Sequence, residues 1–139
     1  MATEDRTPAP ELTDAEVDAL HEVELGVEWL RRAHGKLVEF HHNTGHAMEH
    51  LAAAEEELRA AGHEDVADEI RDRYLPRGVI DDDRWSYDVL ESFEADFLAD
   101  LTAFEERARS EVADGRRHVA ERRQEREWKR RAQDRSESE

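Results

Sequence analysis

From about residue 13 to about residue 131 the apolar residues return every three or four positions, the period of an α-helix and not of a strand. At about 100° per residue, Val23, Val27, Leu30, His34, Leu37, Gly45, Met48 and Ala52 fall within roughly 40° of His41 and form one continuous stripe. A second seam, Trp29, Ala33, Phe40, Ala47, Leu51 and Leu58, lies about 80 to 120° to one side, so this helix has two neighbours to satisfy. Further along, Leu90, Phe93, Phe97, Leu101, Phe104, Ala108, Val112, Gly115 and Val119 recur at steps of three and four, the spacing of a third helix.

Punctuation between the stripes sets the element boundaries. Thr13-Asp14-Ala15-Glu16 is a capping box and Gly62 supplies the glycine that stops a helix, which predicts a first helix over about 13–61. The stripe keeps its phase through Asn43-Thr44-Gly45, so one long helix is expected there, although Gly26, Gly35 and Gly45 each weaken it by about 1 kcal/mol. Val66, Ile70 and Tyr74 mark the edge of a short helix over about 65–75, ended by Pro76 and Gly78 and packing as a lid. The loop after it is expected to tuck Val79 and Ile80 inward and to cap the next helix, about 85–131, with Asp82, Asp83 or Ser86.

These elements define an all-α fold: a long antiparallel hairpin of two helices clasped by a short connecting helix, in a single domain over 13–131. Residues 1–12, with Pro8 and Pro10, read as a disordered arm, and 132–139 as a frayed tail. Two helices leave the Trp29, Phe40, Leu51 and Leu58 seam uncovered, so a homodimer completing a four-helix bundle is expected, with an unidentified protein as a further partner.

A length of 139 residues fits one domain. The chain has no cysteine, which excludes disulfides, thiolate metal sites and cysteine nucleophiles. No apolar run is long enough for a membrane span, and the N-terminus carries neither the basic nor the apolar region of a signal peptide, so a cytoplasmic protein is expected. Charge changes the picture most. Acidic residues number 37 against 20 basic, a net −17, and the only lysines are Lys36 and Lys129. This composition resembles that of cytoplasmic proteins of salt-in halophiles such as haloarchaea, and the resemblance implies a habitat in which molar salt screens self-repulsion. The charge is unevenly spread: residues 107–139 hold 11 basic and 8 acidic residues, and those before them 9 and 29. In an antiparallel hairpin whose opposed positions add to about 146, Glu22, Glu24 and Glu28 face Arg116, Arg117, Arg122 and Arg123.

Chemistry concentrates in the first helix, which holds His34, His41, His42, His46 and His50. Glu39-x-x-His42 resembles the ligand motif of ferritin-like di-iron bundles, but a second Glu-x-x-His is missing, and a hemerythrin-like set would spread its histidines over several helices. The helical wheel divides the five. His42, His46 and His50 fall about 100 to 180° from the stripe and read as a surface ladder, whereas His34 and His41 lie in it and need partners. Opposite them come Glu111 or Val112 and Phe104 or Glu105, and Glu55 and Glu111 also fall on core faces. Two readings stay open: core histidines held by glutamates that fix register, or a functional pair that senses pH across a dimer interface or binds a divalent metal, zinc or iron, in a set of His34, His41, Glu55 and Glu111.

No phosphate-binding glycine loop, Gly-x-Ser-x-Gly or His-Glu-x-x-His occurs, so no catalytic residue is assigned and no enzyme is expected. Arg116, Arg117, Arg122, Arg123 and Arg130 with Trp128 offer the nearest thing to a nucleic-acid contact, diluted by Glu121, Glu125 and Glu127. Nucleic acid is therefore not the expected partner. The expected function is an acidic helical interaction or scaffold protein without a cofactor; the alternatives are a metal- or ligand-binding bundle and a nucleic-acid or ribosome-associated factor.

Overall fold

The structure, a computed structural model, describes the backbone of residues 11–137 and the side chains of residues 11–135. All regular elements among these residues are helical, and no helix is long and apolar enough to cross a membrane. The all-α class expected from periodicity is what the chain adopts. Helix α1, Asp14–Ala60, runs 47 residues without a break. Its start is the capping box: Glu16 N–H donates to Thr13 Oγ1 at 3.1 Å and Thr13 N–H to Glu16 Oε1 at 2.8 Å. Asn43-Thr44-Gly45 does not interrupt it, because the Thr44 hydroxyl donates back to the Phe40 carbonyl at 2.7 Å and stays within the helix. At the far end Gly62, at φ 89°, donates to the Arg59 carbonyl and His63 N–H to the Leu58 carbonyl. Those two bonds are the Schellman pair that a left-handed glycine permits.

The chain divides into two compact units, and α1 contributes to both. The unit of residues 30–99 is a helical hairpin. After the turn at Gly62, α2, Glu64–Glu69, passes directly into a π-helical turn, Ile70–Tyr74. Arg59 clamps the corner, donating to Glu55 at 3.0 Å and to Asp68 at 2.9 Å. The edge expected of Val66, Ile70 and Tyr74 does not form. Val66 and Tyr74 are exposed and Ala67 is fully buried instead, because the Asp68–Arg59 clamp turns that face inward.

A tight loop follows, in which Ile80 and Arg84 exchange both backbone hydrogen bonds at 3.2 Å while Asp82 and Asp83 take positive φ. Only glycine fits at position 78, since a Cβ there would lie 2.4 Å from the Asp83 carbonyl carbon. Val79 and Ile80, expected inside, remain exposed, because the turn uses their backbone and gives their side chains nothing to cover. Helix α3, Ser86–Phe93, is capped by none of Asp82, Asp83 and Ser86. Trp85 N–H donates to the Asp88 carboxylate at 3.0 Å in that role.

This loop corrects the expected register. Arg59 meets Asp68, His41 meets Ser86 and His34 meets Glu94, pairs whose residue numbers add to 127, 127 and 128 rather than about 146. The short helix is not a lid beside the hairpin. It is the first part of the returning limb, so α3 begins alongside His41.

The expected single helix over 85–131 is also overturned, twice. A π-helical turn, Glu94–Leu98, joins α3 to α4, Ala99–Ala113, and inserts one residue into the helical phase. Beyond it the inward positions are Leu98, Leu101, Thr102, Glu105, Ala108, Arg109, Val112 and Ala113. Phe97 and Phe104, read as core, are consequently 58% and 44% exposed. The helix then stops at Ala113, where Asp114 and Gly115 take φ 51° and 80°, and restarts as α5, Val119–Glu137. Both the N–H and the Nε of Arg116 donate to the Ala113 carbonyl at 3.0 Å and tie off the end of α4.

In the other unit, the described residues 11–29 and 100–137, Val17, Leu20, Ala113 and Val119 form a buried cluster with Leu12, Ala108, Val112 and Ala120 packed against it. Leu12, counted with the arm in the sequence, is thus docked, and its carbonyl accepts from Arg123 at 3.0 Å. The rest of that arm, residues 1–10, and the last two residues of the expected tail lie outside the described residues.

Candidate functional site

In the hairpin unit the two stripe histidines each take a separate partner. His34 Nε2 lies 2.8 Å from Glu94 Oε2, with its ring stacked on Phe93. His41 Nδ1 lies 2.8 Å from the Ser86 hydroxyl, and its ring meets Tyr87 edge-on. Neither is held by the glutamates expected from the hairpin register. Glu55 is engaged by Arg59 on its own helix and Glu111 sits on an exposed face of α4, so the four-residue metal set His34, His41, Glu55 and Glu111 is not assembled. The reason is the register: the returning limb starts earlier, and Glu94 and Ser86 arrive where Glu111 and Glu105 were expected.

His42, His46 and His50 are exposed, as the wheel requires, and among the described residues only His46 has a carboxylate within ion-pair distance, Glu49 at 3.6 Å one turn along the helix. Of the seam residues, Trp29 is 61% and Phe40 37% exposed, while Leu51 and Leu58 are half-buried.

The other unit carries two features that share α5. The first is a groove of about 700 Å³ between the start of α1 and α5, floored by Leu12, Val17 and Val119 and walled by arginines together with Glu11 and Glu127. Arg116, Arg117, Arg122, Arg123 and Arg130, singled out in the sequence, all line it, and Arg126 joins them. Arg123 bridges Asp14 and the Leu12 carbonyl, Arg122 pairs with Glu125 at 3.0 Å, and Arg130 pairs with Glu127. Arg117 and Arg126 have no ion-pair partner among the described residues, and with the other arginines they outnumber the two glutamates of the groove, Glu11 and Glu127. Trp128 is exposed on the same helix.

The second feature is a cluster that sequence reasoning missed. His21, Glu24 and Glu121 each bring one ligand-type atom to within 4.8 Å of the other two, the one such trio among the described residues. His21 and Glu24 stand three apart in the sequence, a signal that was readable. Glu121 joins them only because the break at 114–118 redirects α5 onto α1.

No family model matches the chain, and no curated protein or solved structure matches it.

Proposed function

We propose that this chain is a non-enzymatic helical interaction protein that works as a homodimer in a salt-rich cytoplasm. One observation carries the reading: few of the apolar side chains expected to form a core are fully buried, most being half-buried and Phe97 and Phe104 exposed. The buried apolar residues among those described are Val17, Leu20, Val27, Ala67, Ala113 and Val119, and Val27 is the only large one fully buried. Against them stand exposed aromatics on every long element: Trp29 and Phe40 on α1, Tyr87, Phe97 and Phe104 along the returning limb, and Trp128 on α5. A domain of this length ordinarily buries far more apolar surface than that, and a second copy of the same chain brings an equal and complementary deficit. The acidic, lysine-poor composition supports the salt-rich setting.

Light scattering in molar KCl tests the reading. A mass of twice the 16.2 kDa chain is expected, falling to a single chain in Phe40→Glu with helicity retained. A wild-type monomer at tens of micromolar, or a dimer indifferent to Phe40→Glu and to Phe97→Glu alike, overturns it.

The arginine groove favours a second reading, a docking site for an anionic ligand such as a nucleic-acid backbone. Its two arginines outside any ion pair among the described residues supply the test: Arg117→Glu with Arg126→Glu abolishes retention on single-stranded RNA if the groove binds it. Equal retention of the double variant overturns this second reading.

A further inference from the structure

We propose that His21, Glu24 and Glu121 form a binding site for a first-row divalent cation of the zinc type, joining α1 to α5. His21 and Glu24 lie on one face of α1, a turn apart, and Glu121 comes from the first turn of α5. The observation that points to a ligand is at His21. Its Nδ1 is shut off from solvent yet has no hydrogen-bond partner. The nearest Glu121 oxygen lies at 3.7 Å, too far to hydrogen-bond. That separation suits two ligand atoms each about 2.1 Å from a shared ion. An orphaned buried nitrogen is costly, and donation of its lone pair to a cation is the remedy the site offers.

The chemistry of the donors selects the ion. One imidazole nitrogen with two carboxylates matches zinc and its first-row neighbours, whereas calcium and magnesium take all-oxygen shells. Two carboxylate charges balance the ion, and a chain of net −17 concentrates cations around it. Half-exposed Glu121 has the rotamer freedom to close the remaining distance, and a water completes the tetrahedron. Because α5 follows the break at 114–118, the ion fastens α5 across that break, and the groove wall that α5 supplies becomes metal-dependent.

The test uses the full chain, made without an affinity tag, stripped with EDTA and titrated with zinc chloride by calorimetry in molar KCl. One zinc per chain is expected, together with slower amide exchange over 119–125. Losing a ligand costs at least the roughly 10–100-fold that losing a residue supporting one costs, so affinity falls about 100-fold or more in His21→Ala and about 10-fold or more in Glu121→Gln. The triple variant His42→Ala, His46→Ala, His50→Ala keeps the site, which separates it from adventitious zinc on the surface ladder. No saturable site overturns the proposal, as does a site that survives His21→Ala and disappears in the triple variant. Should His21→Ala lose its helical circular dichroism, Glu121→Gln decides: unchanged affinity in that variant overturns the proposal.

Discussion

Glu105 shows what the shifted helical phase costs a single residue. The π-turn rotates it inward, where it is 9% exposed, and Arg109 one turn later meets it at 3.1 Å with both side chains 11% exposed. A buried pair holds only while both partners are present, because removing one leaves an uncompensated charge away from water. Arg109→Ala is expected to lose about 3–5 kcal/mol in denaturant unfolding, and Glu105→Leu with Arg109→Met to recover most of it. Equal losses in the single and double variants contradict that account. Glu16 makes a different, pH-dependent contribution at the start of α1. The Thr13 backbone N–H and then its hydroxyl hold the Glu16 carboxyl below the usual carboxylate range. A lowered folded value means that the stabilisation is complete above the ordinary glutamate range and disappears as pH falls through the Glu16 value. The thermal midpoint of wild type should therefore fall more steeply than that of Glu16→Gln on acidification below about pH 5. Parallel curves would remove the capping box from the account.

Elements differ in how far they can be read from local residues. Both ends of α1 are legible because their signals, Thr13 with Glu16 and the left-handed Gly62, act within one turn. The outward facing of His42, His46 and His50 is equally legible, since a helix's own geometry decides it. Partners of His34 and His41 are not, because they depend on where α3 starts, and that is decided by Gly78 and the Ile80–Arg84 closure. Asp114-Gly115 is a turn signal in its own right, obscured because Gly115 also fits the apolar period of the preceding helix. Without that break Glu121 cannot be placed beside His21, so the trio stays invisible in the sequence. The π-turn at Glu94–Leu98 leaves no local mark, yet it makes a sharp prediction. Phe93 and Leu98 both face inward with one residue too many between them for an α-helix. Deleting exposed Ala95 restores the four-residue step with every later inward position unchanged, so fold and midpoint should survive. Deleting Ala103 in the regular part of α4 turns all following positions by about 100° and should unfold the Val17, Leu20, Ala113 cluster. Amide exchange in the two deletion variants distinguishes the outcomes. Similar damage from both removes the phase argument.

For the whole molecule the governing quantity is charge. A net −17 on 139 residues repels itself, and 18 of the 20 basic residues are arginine. The ion pairs that oppose this repulsion are mostly exposed, such as Arg123 with Asp14, Arg122 with Glu125 and Lys36 with Glu39, and each contributes about 0–1 kcal/mol. Salt weakens both the repulsion and the pairs, so the sign of the salt dependence shows which dominates. Repulsion acts among 37 acidic groups that outnumber the basic ones by 17, over distances comparable to the Debye length, about 10 Å at 0.1 M and about 3 Å at 1 M salt, whereas most ion pairs are exposed and each contributes little. Repulsion therefore outweighs the pairs, and the thermal midpoint should rise as KCl increases from about 0.1 M to above 1 M. Dimerisation doubles the charge brought together, so the dimer dissociation constant should fall over the same range, more steeply than chain stability rises. Neutralising part of the excess, with exposed Glu22, Glu56 and Glu57 changed to Gln, should flatten both dependences. A midpoint that declines with added KCl would mean that arginine pairs, and not screened repulsion, hold these helices, and a dissociation constant indifferent to salt would mean that the interface is remote from the acidic surface.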